Sequence, residues 1–171
     1  MKKIIIACIT VIVAFVLQTT IFQWLSFGNI VPNLLIIITA LYGMNHGDRF
    51  GLVVGFFCGL LADIFFGSFI GFNALLYMYI GYFNGKFHQN FYPEDIKLPL
   101  VLFFFSDFLY SIAYYLIMFM LRGKFDFSFF LFNIIMPEVL YTTILGLVVY
   151  PIFYLLNKLI SGRNKGGLNF V

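Results

Sequence analysis

Charge is what this sequence of 171 residues has least of: only 10% of its side chains are Asp, Glu, Lys or Arg. A soluble domain carries about a quarter, so water is excluded as the chain's main solvent. Net charge is +3, and no basic patch interleaved with aromatics occurs, which excludes nucleic acid as a partner. There are two cysteines, Cys8 and Cys58, both in apolar runs with no nearby His or second Cys. That spacing excludes a metal pair or a disulfide, and both read as small buried hydrophobes. Nucleophile elbow, P-loop, paired zinc ligands and Gly-x-Gly-x-x-Gly are all missing, so no catalytic constellation, cofactor or metal site is expected.

What remains is apolar. Hydrophobic residues make up 63% of the chain and aromatics 22%, with 25 Phe. This composition describes an all-α integral membrane protein built as a single transmembrane domain over residues 1–171. "MKKIIIACITVIVAFVLQTT" has the lysines and apolar core of a signal peptide, but no small-x-small cleavage site follows, which makes it an uncleaved first span. A span needs about 20 apolar residues. Segmentation at Pro, Gly and polar clusters predicts six, at about 4–25, 31–45, 50–66, 72–85, 99–121 and 131–157, followed by a basic tail at 158–171. Pro32 is placed to open the second span. The central spans are short for isolated crossings, which predicts a compact, partly re-entrant group covered by its neighbours. Lys2, Lys3, Arg49, Lys86, Lys97, Lys158, Arg163 and Lys165 fall on one side of a six-span arrangement; only Arg122 and Lys124 fall on the other. The positive-inside rule therefore puts both termini in the cytoplasm.

Within "GLLADIFFGSFIGFNALLY" lies one carboxylate, Asp63, in a run without other charge. Small residues recur every fourth position: Gly51, Gly55 and Gly59, then Asp63, then Gly67 and Gly71. On a helix these share a face and let another helix approach closely. Asp63 stands thirteen residues beyond the start of its span, ~20 Å deep at 1.5 Å per residue, in the outer half. Two readings stay open for it. It caps the 67–71 break or the helix that begins near Asn73, or it is a proton or cation site. Capping predicts that Asn is tolerated at 63; a proton relay predicts that it is not.

Two further acids lie in spans five and six. Asp107, Tyr110, Ser111 and Tyr114 share a helix face, as do Glu138, Tyr141 and Thr142, and Pro137 frees the carbonyl of Asn133 and predicts a kink. Such stripes suit an aqueous pocket, a hydrogen-bonded seam or a partner's docking groove. His46 and His88 lack metal-ligand spacing and read as solvated loop residues. Cytoplasmic loops around 46–49 (His46, Asp48, Arg49) and 86–97 ("FYPED", with Tyr92, Glu94 and Asp95) are candidate contacts for a soluble partner, or plain solvated turns.

"LQTTIF", "VPNLLIIITALYGMNHGDRFGLVVGFFCGLLADIFFGSFIGFNALLYMYIGYFNGKF" and "FYPE" resemble the MreD family of rod shape-determining membrane proteins, over about residues 16–95. The most specific part is Gly-Leu-Leu-x-Asp-x-x-x-Gly-x-x-x-Gly at 59–71, followed by Asn73-Ala74-Leu75. The family pattern has Pro-Asp where this chain has Pro32-Asn33. The resemblance implies a non-enzymatic scaffold of the cell-elongation machinery in the bacterial cytoplasmic membrane, acting in rod shape maintenance and lateral peptidoglycan synthesis. It implies an MreC-like bitopic protein as the closest partner, with MreB, RodA and a class B penicillin-binding protein in the same assembly. It also implies a fold similar to the substrate-binding components of energy-coupling-factor vitamin transporters, so a small-molecule binding component is the alternative. Such components carry an Ala-xxx-Ala seam on the first helix, a spacing that Ala7 and Ala14 lack. A proton-coupled transporter using Asp63, Asp107 and Glu138 is a third reading.

Overall fold

The computed structural model describes residues 2–24, 26, 30–67, 69–90, 92, 96–118 and 127–165. Helix accounts for nearly all of them, and no strand occurs among the described residues. Helix α1 spans Lys2–Trp24, α2 Leu34–His46, α3 Asp48–Phe66, α4 Phe72–Lys86 and α5 Lys97–Met118. A 3₁₀ turn, Phe87–Asn90, follows α4. The last helical run opens as α6 (Phe127–Phe130), widens into a π turn at Leu131–Ile135 and continues as α7 (Met136–Lys165). Four stretches are long and apolar enough to cross a membrane: Lys3–Trp24, Asp48–Phe66, Lys97–Ile117 and Phe127–Leu156. The other two helices fall short of that length, α2 with 13 residues and α4 with 15.

The shorter of the two, α2, is the inner one, whereas α4 keeps Leu75, Tyr79 and Phe83 exposed. Every residue of α2 from Leu34 to Met44 is buried, because α1, α3, α4, α5 and α7 all pack against it. An apolar helix normally shows one buried stripe; "LLIIITALYGM" is apolar all round because it has no outward face. Its ends are closed accordingly. Asn33, and not Pro32, is the N-cap, and its side chain accepts from the Ile36 amide. The Leu35 amide donates to Gln18 Oε1 at 3.1 Å, and the Asn33 amide to Thr142 Oγ1 at 3.1 Å. Donors that a helix start leaves open are thus met by three elements, as a buried start requires. Pro32 stands one residue outside the helix, where its missing N–H costs nothing.

Helices α2 and α3 are separated by a single residue, Gly47, at φ 89°. The loop expected around 46–49 is therefore a one-residue turn, and Asp48 and Arg49 belong to the first turn of α3. Pro137 also acts differently from a simple kink. It has no N–H to give the preceding turn, and the chain absorbs this in the π turn just before it, where the Met136 amide reaches back to the Leu131 carbonyl.

Candidate functional site

Asp63 lies at the last turn of α3 and is 1% exposed. Its Oδ2 accepts from the amides of Gly71 and Ala74, both at 2.9 Å, and its Oδ1 from the amide of Asn73 at 3.0 Å. These are the open donors at the start of α4, whose N-cap, Gly71, has no side chain to offer them. The negative charge also sits at the positive end of the α4 dipole. One carboxylate thereby ties the end of one helix to the beginning of the next across the 67–71 break. Because both oxygens accept, Asn is a poor replacement: its amide nitrogen would face a backbone N–H. The expectation that a capping role tolerates Asn is corrected by this geometry.

The glycine seam is filled from within the chain. Helix α4 runs antiparallel along α3, and a Cβ at Gly51 would overlap the Gly81 carbonyl, at Gly55 the Tyr77 carbonyl, and at Gly59 the Asn73 carbonyl and Ala74. Gly43 of α2 closes on the same junction, 2.7 Å separating its notional Cβ from the Gly81 oxygen. The seam is consequently unavailable to a partner helix. Gly67 and Gly71 also leave the expected six-position ladder, since α3 ends at Phe66. Gly71 has nothing within 4 Å of a notional Cβ and is needed for its φ of 100°.

A second polar group gathers near the head of α2. Tyr77 Oη donates to Asn33 Oδ1 at 2.8 Å, and Tyr110 Oη to Asn73 Oδ1 at 3.0 Å. Tyr110, Ser111 and Tyr114 of α5 face Glu138 of α7 across a pocket of about 320 Å³, completed by Asn33, Tyr115, Phe130, Ile134 and Ile135. Asp107, one turn before Ser111, is fully buried near Glu138; its oxygens make no hydrogen bond of ordinary length, and the Thr142 hydroxyl is the side-chain donor beside it. The two stripes from α5 and α7 thus meet. Pro137 is half-buried at the start of α7, and Tyr141 lies half-buried one turn further along.

At the opposite end, His46 is half-buried, its ring 5.6 Å from Tyr42 and 5.0 Å from Phe50. It is not a solvated loop residue. Burial, then the charge of Lys3, then His88 hold its pKa below the usual imidazole value. His88 is exposed, yet its ring is held by the Met44 carbonyl through Nδ1. Asp48 Oδ1 accepts from the Arg49 amide at 2.7 Å. Tyr92 is exposed; Glu94 and Asp95 lie outside the described residues, as do Arg122 and Lys124. A groove of about 650 Å³ runs between α1 and α3, lined by Ala7, Cys8 and Val11 on one side and Val53, Phe57 and Leu61 on the other, with His46 and Arg49 at its end. Cys8 is exposed there, contrary to the expectation that both cysteines are buried; Cys58 is buried. Among the described residues no group of three or more His, Cys, Asp or Glu is placed to hold a metal ion.

Several residues escaped the sequence reading. Gly81 and Gly85 form the answering seam on α4, and their four-residue spacing was a readable signal. Ala7, Val11 and Ala14 are the buried stripe of α1, visible as i, i+4, i+7. Asn33 joins Ile36, Tyr77 and Thr142, and no local pattern announces the last two because they come from distant segments. Compared with known proteins, the chain matches the family model described as rod shape-determining protein MreD over residues 1–160. No curated protein and no solved structure matches it.

Proposed function

The chain belongs to the MreD family of rod shape-determining membrane proteins, and on that premise we propose that it is a non-enzymatic scaffold of the cell-elongation machinery. It sits in the cytoplasmic membrane of a rod-shaped bacterium as one unit of six spans, both termini inside, and binds an MreC-like bitopic protein. Through that partner it acts on lateral peptidoglycan synthesis, alongside MreB, RodA and a class B penicillin-binding protein. The observation that carries this reading is the family match over 1–160. The eight-to-two distribution of basic residues supports the orientation. The shortness of α2 is compatible with six spans, since a helix of ~20 Å that touches protein in place of lipid escapes the usual length requirement.

The packing supports one reading of where a partner helix binds. The glycine seam is closed by α4, and the polar stripes of α5 and α7 face each other. Among the described residues, the groove between α1 and α3 is an apolar depression left open on the outside, with small side chains, Ala7 and Cys8, on its α1 wall. Small residues permit the close helix approach on which association within a bilayer depends. We assign the partner's transmembrane helix to this groove. The cytoplasmic turns at 46–49 and 86–97 are then left for the filament.

Depletion in the native host, paired with co-purification from mild detergent, tests the reading. Cells lacking the protein are expected to lose rod shape, and an MreC-like protein is expected to co-elute. Cells that stay rod-shaped, with no bitopic partner recovered, would overturn it.

A further inference from the structure

We propose that the pocket between α5 and α7 binds a primary ammonium group on an apolar carrier, with Ser111 and Glu138 receiving the ammonium, Asp107 buried behind them, and the tyrosines receiving the carrier.

The polar end of the pocket holds an acid and several hydroxyls and no basic side chain. Ser111 is 6% exposed, its Oγ is unpartnered, and it lines the pocket directly. Asp107, one helical turn away, is fully buried, with both carboxylate oxygens unpartnered. Glu138 lies near Asp107 and lines the pocket within side-chain reach of the Ser111 hydroxyl. The hydroxyl of Tyr110 is already committed to Asn73, and the side-chain oxygen of Asn33 already accepts from Tyr77 and Ile36. No Lys, Arg or His lines the space. Buried acceptors without donors are costly, and carboxylates most of all. Ser111 and Thr142 can each give these acids only one hydroxyl hydrogen, and a group that brings several N–H donors and positive charge suits the acceptor sites left over.

A primary ammonium supplies three donors and one charge. Tyr110, Tyr114 and Tyr115 add aromatic surface, which attracts cations at its faces and apolar chains alike. A quaternary ammonium offers no donor and leaves the acceptors as they are. A metal ion finds too few ligands among the described residues, and an anion is repelled. The volume, about 320 Å³, is near the lower end for small-molecule sites. Ile134 on the pocket wall is 37% exposed, so the space reaches the outer surface of the helices. The same ammonium chemistry is presented by a free amine and by the headgroup of an aminophospholipid.

The test uses the full chain purified in detergent and in nanodiscs, with thermal unfolding as the readout. Butylamine is expected to raise the Tm, whereas tetramethylammonium at equal concentration is not. The ligand-induced rise is expected to fall at least fivefold in Ser111→Ala and Glu138→Gln, each compared with its own ligand-free baseline. Asp107→Asn is a third variant, and the first two decide the matter if it fails to fold. A rise in phosphatidylethanolamine over phosphatidylcholine nanodiscs, lost in the same variants, assigns the ammonium to a lipid; a rise with butylamine alone assigns it to a free amine. No response to either, an equal response to tetramethylammonium, or a response that Ser111→Ala and Glu138→Gln leave unchanged would each overturn the proposal. The scaffold role stands or falls separately, on cell shape and partner recovery.

Discussion

Asp63 and Asp107 are both buried acids, and their surroundings differ in kind. The first accepts three backbone N–H bonds at the start of α4; the second has none. A carboxylate that closes a helix start is a structural part, and removing it leaves buried donors open. Asp63→Asn is therefore expected to lower unfolding free energy by ~1–3 kcal/mol, and Asp63→Ala by at least as much, measured by denaturant titration in detergent. Wild-type stability in Asp63→Asn would contradict the capping geometry. His46 gives a pH dependence. Its pKa is lowered in the folded protein by burial, Lys3 and His88, so the fold favours the neutral ring. The unfolded chain takes up its proton near the ordinary value of about 6.5, and stability is expected to fall as pH drops through that value, with no contribution above it. His46→Gln should flatten that part of the pH–stability curve.

At the scale of the element, α2, α3 and α4 form a core whose spacing is set by missing side chains. A Cβ at Gly55 meets the backbone carbonyl of Tyr77, and a backbone cannot move aside as a side-chain tip can. Gly55→Ala is expected to cost ~1–3 kcal/mol or more by overpacking. Gly71→Ala finds open space but the wrong sign of φ, a penalty of roughly 1–2 kcal/mol. The pair separates close approach from backbone conformation: enlarging 55 further to Val should abolish folding, while Gly71→Asn, which tolerates positive φ, should recover much of what Gly71→Ala loses. Thermal unfolding of the four variants checks both statements.

For the whole molecule, the two cysteines report on surface and partner. Cys8 is exposed in the α1–α3 groove and Cys58 is buried, so an apolar maleimide is expected to label one thiol in the folded protein and two after denaturation. In the complex with the bitopic partner, Cys8 labelling should drop sharply if the partner's helix occupies the groove, and persist if it docks elsewhere. The topology has its own check. In a cysteine-free background, Ile70→Cys, at a position 79% exposed, is expected to react with a membrane-impermeant reagent on intact cells, and His88→Cys only after permeabilisation. The reverse pattern would invert the assigned orientation.

Composition by itself determined that this is a helical membrane protein, because hydropathy and helical period are local properties. Short-range punctuation marked the break between Phe66 and Phe72, where α3 ends and α4 begins, but not the run of the last helix to Lys165. The family was legible too, in the residues around Asp63. What sequence spacing left open was which partner each face meets. Gly51, Gly55 and Gly59 read as a docking surface for another helix, and only the tertiary structure shows α4 lying in it. Asn33 looked like a lone departure from a pattern, and only the fold brings Thr142 and Tyr77 to it from segments far along the chain. The polar stripes of α5 and α7 were visible as stripes, but their meeting around a pocket, with Asp107 left without a backbone N–H, depends on how the helices turn about their axes. That rotation is set by packing among all the helices at once, and no single segment encodes it.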